Sequence, residues 1–123
     1  MREESELKAL RPEVITEETT NGLESFQNQV LRPLLKYQHN LIIQLTKKEK
    51  LFQKQISEEV KIQQKRTLIK HFFITQPNFK YFLIGQICGL MTESELDFYF
   101  QNKKELDKRI AGMLAERILS CYL

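Results

Sequence analysis

A chain of 123 residues, 41% hydrophobic and 28% charged, is sized for one domain with its own core and is too apolar to be disordered. Four glycines, three prolines and no tryptophan leave few turn signals, which favours long helices over sheet. The net charge of +3 is unevenly placed: residues 1–24 carry three basic and seven acidic groups, residues 25–80 eleven and three, and residues 81–123 five and six, so the middle of the chain is a basic belt.

Residues 1–20 contain Pro12, several threonines and glutamates and no sustained apolar period, so a poorly ordered lead-in is expected ahead of a helical bundle domain over 21–123. Asn21 with Glu24 three positions on makes a capping-box-like helix start. From there Leu23, Phe26, Val30, Leu34, Tyr37, Leu41 and Leu45 step by three or four, with Leu31, Leu35 and Ile42 as a second row. That pattern predicts one long helix to about Lys50, kinked where Pro33 removes a backbone donor and crowds the Gln29 carbonyl.

Ser57 with Glu58 and Glu59 predicts a second helix start. Ile62, Leu68, Ile69, Phe72 and Phe73 form its inner face, and Lys61, Lys65, Arg66 and Lys70 point outward. Pro77 ends it near Thr75. A third helix, apolar nearly all round, is expected from Asn78 to Gly89. Thr92 to Glu95 is a full T-x-x-E capping box for a fourth, and Asn102 to Glu105 repeats the device for a fifth. In the fifth, Leu106, Ile110, Met113, Leu114 and Ile118 face inward and Arg109 and Arg117 lie outside among acids. The expected fold is therefore all-α, a single bundle of about five helices with no strand.

The longest apolar run, Tyr81 to Met91, is broken by Gln86 and falls well short of the ~20 residues of a membrane span. The N-terminal residues lack the apolar centre of a secretory signal. Cys88 and Cys121 are far apart, in no C-x-x-C spacing, and fit two buried reduced thiols. A cytoplasmic protein, neither exported nor embedded in a membrane, is the expectation.

Few residues carry chemistry. His39 and His71 have no second ligand at helical spacing, so no metal site is expected. A Cys88–His71 nucleophile pair would lack a third orienting group, and no glycine loop for phosphates is present, so neither an enzyme nor a cofactor is expected. Gly85 and Gly89 form a G-x-x-x-G strip that suits tight packing inside the bundle or a subunit seam, and Gly89 suits a left-handed helix cap. Phe72, Phe73, Phe79, Tyr81 and Phe82 supply an aromatic surface, with core packing expected to take at least three of the five. Lys61, Lys65, Arg66 and Lys70, within the belt of residues 47–70, are the candidates for anion or nucleic-acid binding. The helix from Asn78 to Gly89 has only Lys80 to offer base edges or phosphates, so it does not read as a recognition helix.

Phe26-Gln27-Asn28 with Leu31 to Lys36, Gly85 to Gly89 with Thr92 and Glu95, and Lys108-Arg109 with Met113 and Glu116-Arg117 resemble short bacterial all-helical proteins of unknown function that often bear an automatic "glyoxalase" label. The resemblance runs from about Leu23 onward and implies a helical fold. It carries no functional residue across, since the chain has neither the βαβββ pattern and His/Glu ligands of glyoxalase I nor the T-H-x-H-x-D-H motif of its hydrolase partner. The function these observations favour is a non-enzymatic protein–protein interaction or self-association module, a homodimer being one form it can take. Anion or nucleic-acid binding through the belt is the alternative, and an enzyme using Cys88 a remote third.

Overall fold

A computed structural model describes residues 2–14, 21–56 and 61–122, which form seven helical segments and no strand. They are α1 (Glu4–Ala9), α2 (residues 22–48), α3 (Lys50–Gln55), α4 (Ile62–Thr75), α5 (Pro77–Cys88), α6 (Glu93–Gln101) and α7 (Lys103–Ser120). No described helix is long and apolar enough to cross a membrane. The count exceeds five for two reasons. The lead-in contains a short helix whose Leu7 is buried to 2% exposure. The first long helix breaks at Glu49, where the backbone turns extended and the glutamate side chain caps α3 by accepting from the Leu51 N–H. The expected start at Ser57, Glu58 and Glu59 lies outside the described residues.

α7 is the axis of the bundle. Leu106, Ile110, Leu114 and Ile118 recur every fourth residue and are completely buried, and α2, α4 and α5 pack around them. Phe52 and Phe72 meet edge-on at 5.2 Å between α3 and α4, and Phe79 adds a second edge-on contact with Phe72 at 5.7 Å.

α2 departs from its sequence pattern in an informative way. It runs as Gly22–Phe26, a π-helical turn Gln27–Leu31, then Arg32–Lys48, with the Arg32 N–H closing the wide turn onto the Gln27 carbonyl. Pro33 follows directly, so the turn loosens where the proline has no N–H and would crowd the turn before it. A π turn holds an extra residue, and the buried row moves on by one. After it, Gln38 and Thr46 join Ile42 of the second row in facing inward while Tyr37 and Leu41 of the first row turn outward, and Leu45 packs partly buried against the core. Ile42 and Thr46 are 0% and 3% exposed, whereas Tyr37 and Leu41 are 46% and 39% exposed. Thr46 satisfies its buried hydroxyl by donating to the Ile42 carbonyl at 2.8 Å.

The caps divide. Asn21 accepts from the Glu24 N–H at 3.0 Å, and Thr92 with Glu95 forms the reciprocal box. Asn102 does not cap α7; its side-chain amide turns back to the Phe98 carbonyl at 3.0 Å, because a single residue separates α6 from α7.

Candidate functional site

The outward face of α5 collects several of the residues singled out in the sequence. Asn78, Tyr81, Phe82, Gly85 and Gly89 share one helical face, the last four lying three, four, seven and eleven positions after the first, and are all exposed. Tyr81 and Phe82 are 47% and 49% exposed. A Cβ at Gly85 would meet nothing within 4 Å, so packing inside the bundle does not require this glycine. Gly89 is not left-handed: it ends α5 at φ −61°, and a Cβ there would press on the Gly85 carbonyl oxygen at 3.3 Å. The strip therefore lies on the surface of this chain. Of the other aromatics, Phe72 and Phe73 are core, and Phe79 packs partly buried against it.

Beside this face lies a polar corner. Lys80 and Lys103 reach over the Tyr81 ring at 4.5 and 5.2 Å, and Phe100, 64% exposed, stands edge-on to Tyr99. Lys103 donates to Asp107 at 2.6 Å from one turn away, and Tyr99 donates to the other oxygen of the same buried carboxylate. Lys103 holds its proton more firmly than an ordinary lysine because of that bond. Burial, and then the bond to Asp107, push the Tyr99 hydroxyl far up.

Cys88 borders this corner. Burial pushes its thiol up to about 11; contact with Tyr99 opposes the rise and the Asp107 charge adds to it. Such a thiol stays protonated at neutral pH and is a poor nucleophile. The groups acting on it are Tyr99, Asp107 and Lys103, while His71 is exposed on α4, so the Cys88–His71 pair is not assembled. Cys121, expected to be buried, is exposed in the last turn.

The basic belt is not a continuous stripe. Lys65 is buried to 6% exposure with its ammonium 4.5 Å from the centre of the Tyr122 ring, and Arg66 is tied to Glu116 at 2.9 Å. Lys61 and Lys70 remain exposed on either side. Two of the four candidate cations are thus engaged by the fold.

Sequence reasoning missed two arrangements. Arg11 clasps the N-terminal segment to the start of α6, donating to both Glu95 oxygens at 2.6 and 2.5 Å and to the Leu90 carbonyl at 3.3 Å. Nearby, Arg2 donates to the Gly89 carbonyl. Arg109 and Arg117 do not lie outside among acids: Arg109 donates to Gln27 at 2.9 Å and Arg117 meets His39 at 3.3 Å, both across a groove between α7 and α2. The sequence repeats Leu-Arg-Pro at Leu10 to Pro12 and at Leu31 to Pro33, but that repeat names no partner for Arg11 or Arg32.

Among the described residues no three His, Cys, Asp or Glu side chains gather to hold a metal ion. No family model matches the sequence, and no curated protein or solved structure is significantly similar to it.

Proposed function

We propose that this chain is a non-enzymatic self-association module in which the outward face of α5 pairs with the same face of a second copy. One observation carries the reading: five exposed positions in register along α5 and its cap hold uncharged residues, two of them half-exposed rings and two of them glycines, with Lys80 and Lys103 at the edge of the Tyr81 ring, in a chain where 28% of residues are charged. Isolated exposed apolar residues are ordinary, but two adjoining rings in register with two glycines are not. The glycines let a second helix approach closely, and Tyr81 and Phe82 are ring types enriched at contact centres. A twofold axis across α5 would place each strip on its own copy, the self-complementary arrangement of most homodimers. The high proton affinity of Cys88 supports a role other than nucleophilic catalysis.

α5 has 12 residues and spans about 18 Å, so one such face per copy buries less than the ~1,600 Å² of a standard interface. A weak, concentration-dependent dimer follows. Sedimentation velocity between about 5 and 500 µM should show monomer giving way to dimer, the range in which an interface below standard size exchanges. Phe82→Glu should keep the helical spectrum and abolish the shift. A monomer at every concentration, or a dimer indifferent to Phe82→Glu, would overturn the proposal.

A further inference from the structure

A second surface, remote in chemistry from the α5 face, is formed where α2 and α7 run side by side. On α7, Lys108, Arg109, Gly112 and Arg117 fall within three turns on one side. On α2, Arg32 and His39 are seven residues apart, two turns along the same side. Gln27 and Arg32 close the two ends of the π turn, so the irregularity that accommodates Pro33 also sets these two side chains at the groove. The space between the helices is an open groove of about 550 Å³.

Its charge is one-sided. Among the described residues Lys108, Arg109 and Arg117 line it beside Arg32, with one acid, Glu116, whose two oxygens are taken by Arg66 at 2.9 and 3.3 Å. The groups bonded to Arg109 and Arg117 are neutral: the Gln27 carbonyl oxygen and, in the tautomer that accepts from a guanidinium, the Nδ1 of His39. These bonds orient the two arginines and leave their charge in place. Burial, and then repulsion from Arg32, lower the pKa of Arg117. Among the described residues, like charges are thus held together without a counter-charge on Arg109 or Arg117. Gly112 gives an independent sign. It sits in the interior of an 18-residue helix, where glycine is unfavourable, yet a Cβ there would meet nothing within 4 Å. Packing does not ask for a glycine at this position, and its bare backbone lies at the groove.

We propose that the α2–α7 groove is a binding site for a small phosphate-bearing anion, held by Lys108, Arg109 and Arg117. Guanidinium forks match phosphate oxygens two at a time, and several cations against one engaged acid favour a polyanion over a single carboxylate. The groove has the volume of a small-molecule site. A nucleic-acid backbone would need the positive surface to continue, and on the α4 side it is interrupted where Lys65 is covered by Tyr122 and Arg66 is bound to Glu116.

The test is isothermal titration of the full chain with inorganic pyrophosphate and, separately, with inorganic phosphate, citrate and a short DNA duplex. Saturable pyrophosphate binding is expected with Kd below about 1 mM at moderate salt, weakened about tenfold or more by Arg117→Gln and by Arg109→Gln, as loss of a charge-assisted contact implies. Gly112→Leu should abolish binding while leaving the melting temperature unchanged or higher, so that loss of site and loss of fold are told apart. Lys70→Gln, outside the groove, should change nothing. Absence of saturable binding by phosphate and pyrophosphate would overturn the proposal, as would binding indifferent to both Arg117→Gln and Gly112→Leu. Citrate binding as tightly as pyrophosphate would overturn the phosphate assignment, and a duplex binding more tightly through Arg117 would overturn the small-ligand assignment.

Discussion

Arg11→Met removes the cation from a carboxylate that keeps only 11% of its side-chain surface in water. Both guanidinium bonds to Glu95 disappear together with the bond to Leu90. Stripping one partner from a fully buried pair costs about 3–5 kcal/mol. Glu95 retains the Thr92 N–H at 2.8 Å, and water can enter where the guanidinium stood, so about 1–3 kcal/mol is the better expectation. The structure also sets a ceiling. Apart from Arg11, the deep anchor of this segment is Leu7, whose burial contributes about 2 kcal/mol, so residues 2–14 should detach before the bundle yields. The melting temperature should therefore fall by only a few degrees. Amide protection in α1 should drop by about tenfold or more, since 1.4 kcal/mol is a factor of ten in the opening equilibrium. Hydrogen exchange followed by mass spectrometry, with melting followed by circular dichroism, reads both. Unchanged protection over residues 4–9 would refute the clasp. The pH dependence has a definite sign. Burial raises the Glu95 pKa, but the bonds from Arg11 and Thr92 outweigh it and leave the carboxyl below its ordinary 4.5. The stabilisation is thus fully present above the unfolded pKa and is lost as pH falls through the lower folded value. Acid should release α1 only below about pH 4.5, and in Arg11→Met the carboxyl should take up its proton at higher pH than in the native chain.

The phase change in α2 predicts that Ile42→Ala costs about 2–5 kcal/mol and Leu41→Ala less than about 1, measured by urea denaturation; the reverse order would contradict the π turn. Gly85→Ala, tested at low concentration where the chain is monomeric, should stabilise by roughly 0.5–1 kcal/mol because the added methyl meets nothing, and a destabilisation would show a packing demand that the geometry lacks. With a disulfide reagent at neutral pH, Cys121 should react fast and Cys88 slowly, the latter accelerating only toward about pH 11; equal rates would disprove the burial assigned to Cys88.

The all-helical architecture was legible because each main helix announces itself locally: the Thr92–Glu95 box, the proline after Gln76 and the every-fourth apolar row of α7 all act within one or two turns. The face of α2 was legible beyond the π turn in Leu34, Leu35 and Ile42, which are completely buried as the two rows require, but not at Tyr37 and Leu41. There a one-residue shift at Pro33 left only the second row facing inward, with Gln38 and Thr46 joining Ile42, and periodicity counted on a uniform 3.6-residue turn has no means of registering an inserted residue. Asn102 failed as a cap for a related reason: the motif was present, but a one-residue link turned its amide toward the helix before it. Charge placement was the least legible part. Lys65 and Arg66 look like equivalent outward cations in one dimension, yet Tyr122 and Glu116, some fifty residues on, engage them. Arg11, Arg32, Arg109 and Arg117 acquire their roles only when distant segments meet, and none lies in a local motif that names its partner.

The proposal that α5 pairs with itself is tested most directly by oxidative cross-linking at Gly85. In a Cys121→Ser background, which removes the exposed thiol, Gly85→Cys places a thiol at the centre of the open strip. A twofold pairing along this face brings the two copies of position 85 within the roughly 4.4–6.8 Å between Cα atoms that a disulfide spans. Mild oxidation should then yield a covalent dimer at high protein concentration, suppressed by Phe82→Glu, whereas Lys54→Cys on exposed α3 in the same background should remain monomeric. A Gly85→Cys chain that cross-links no faster than the Lys54→Cys control would contradict the account.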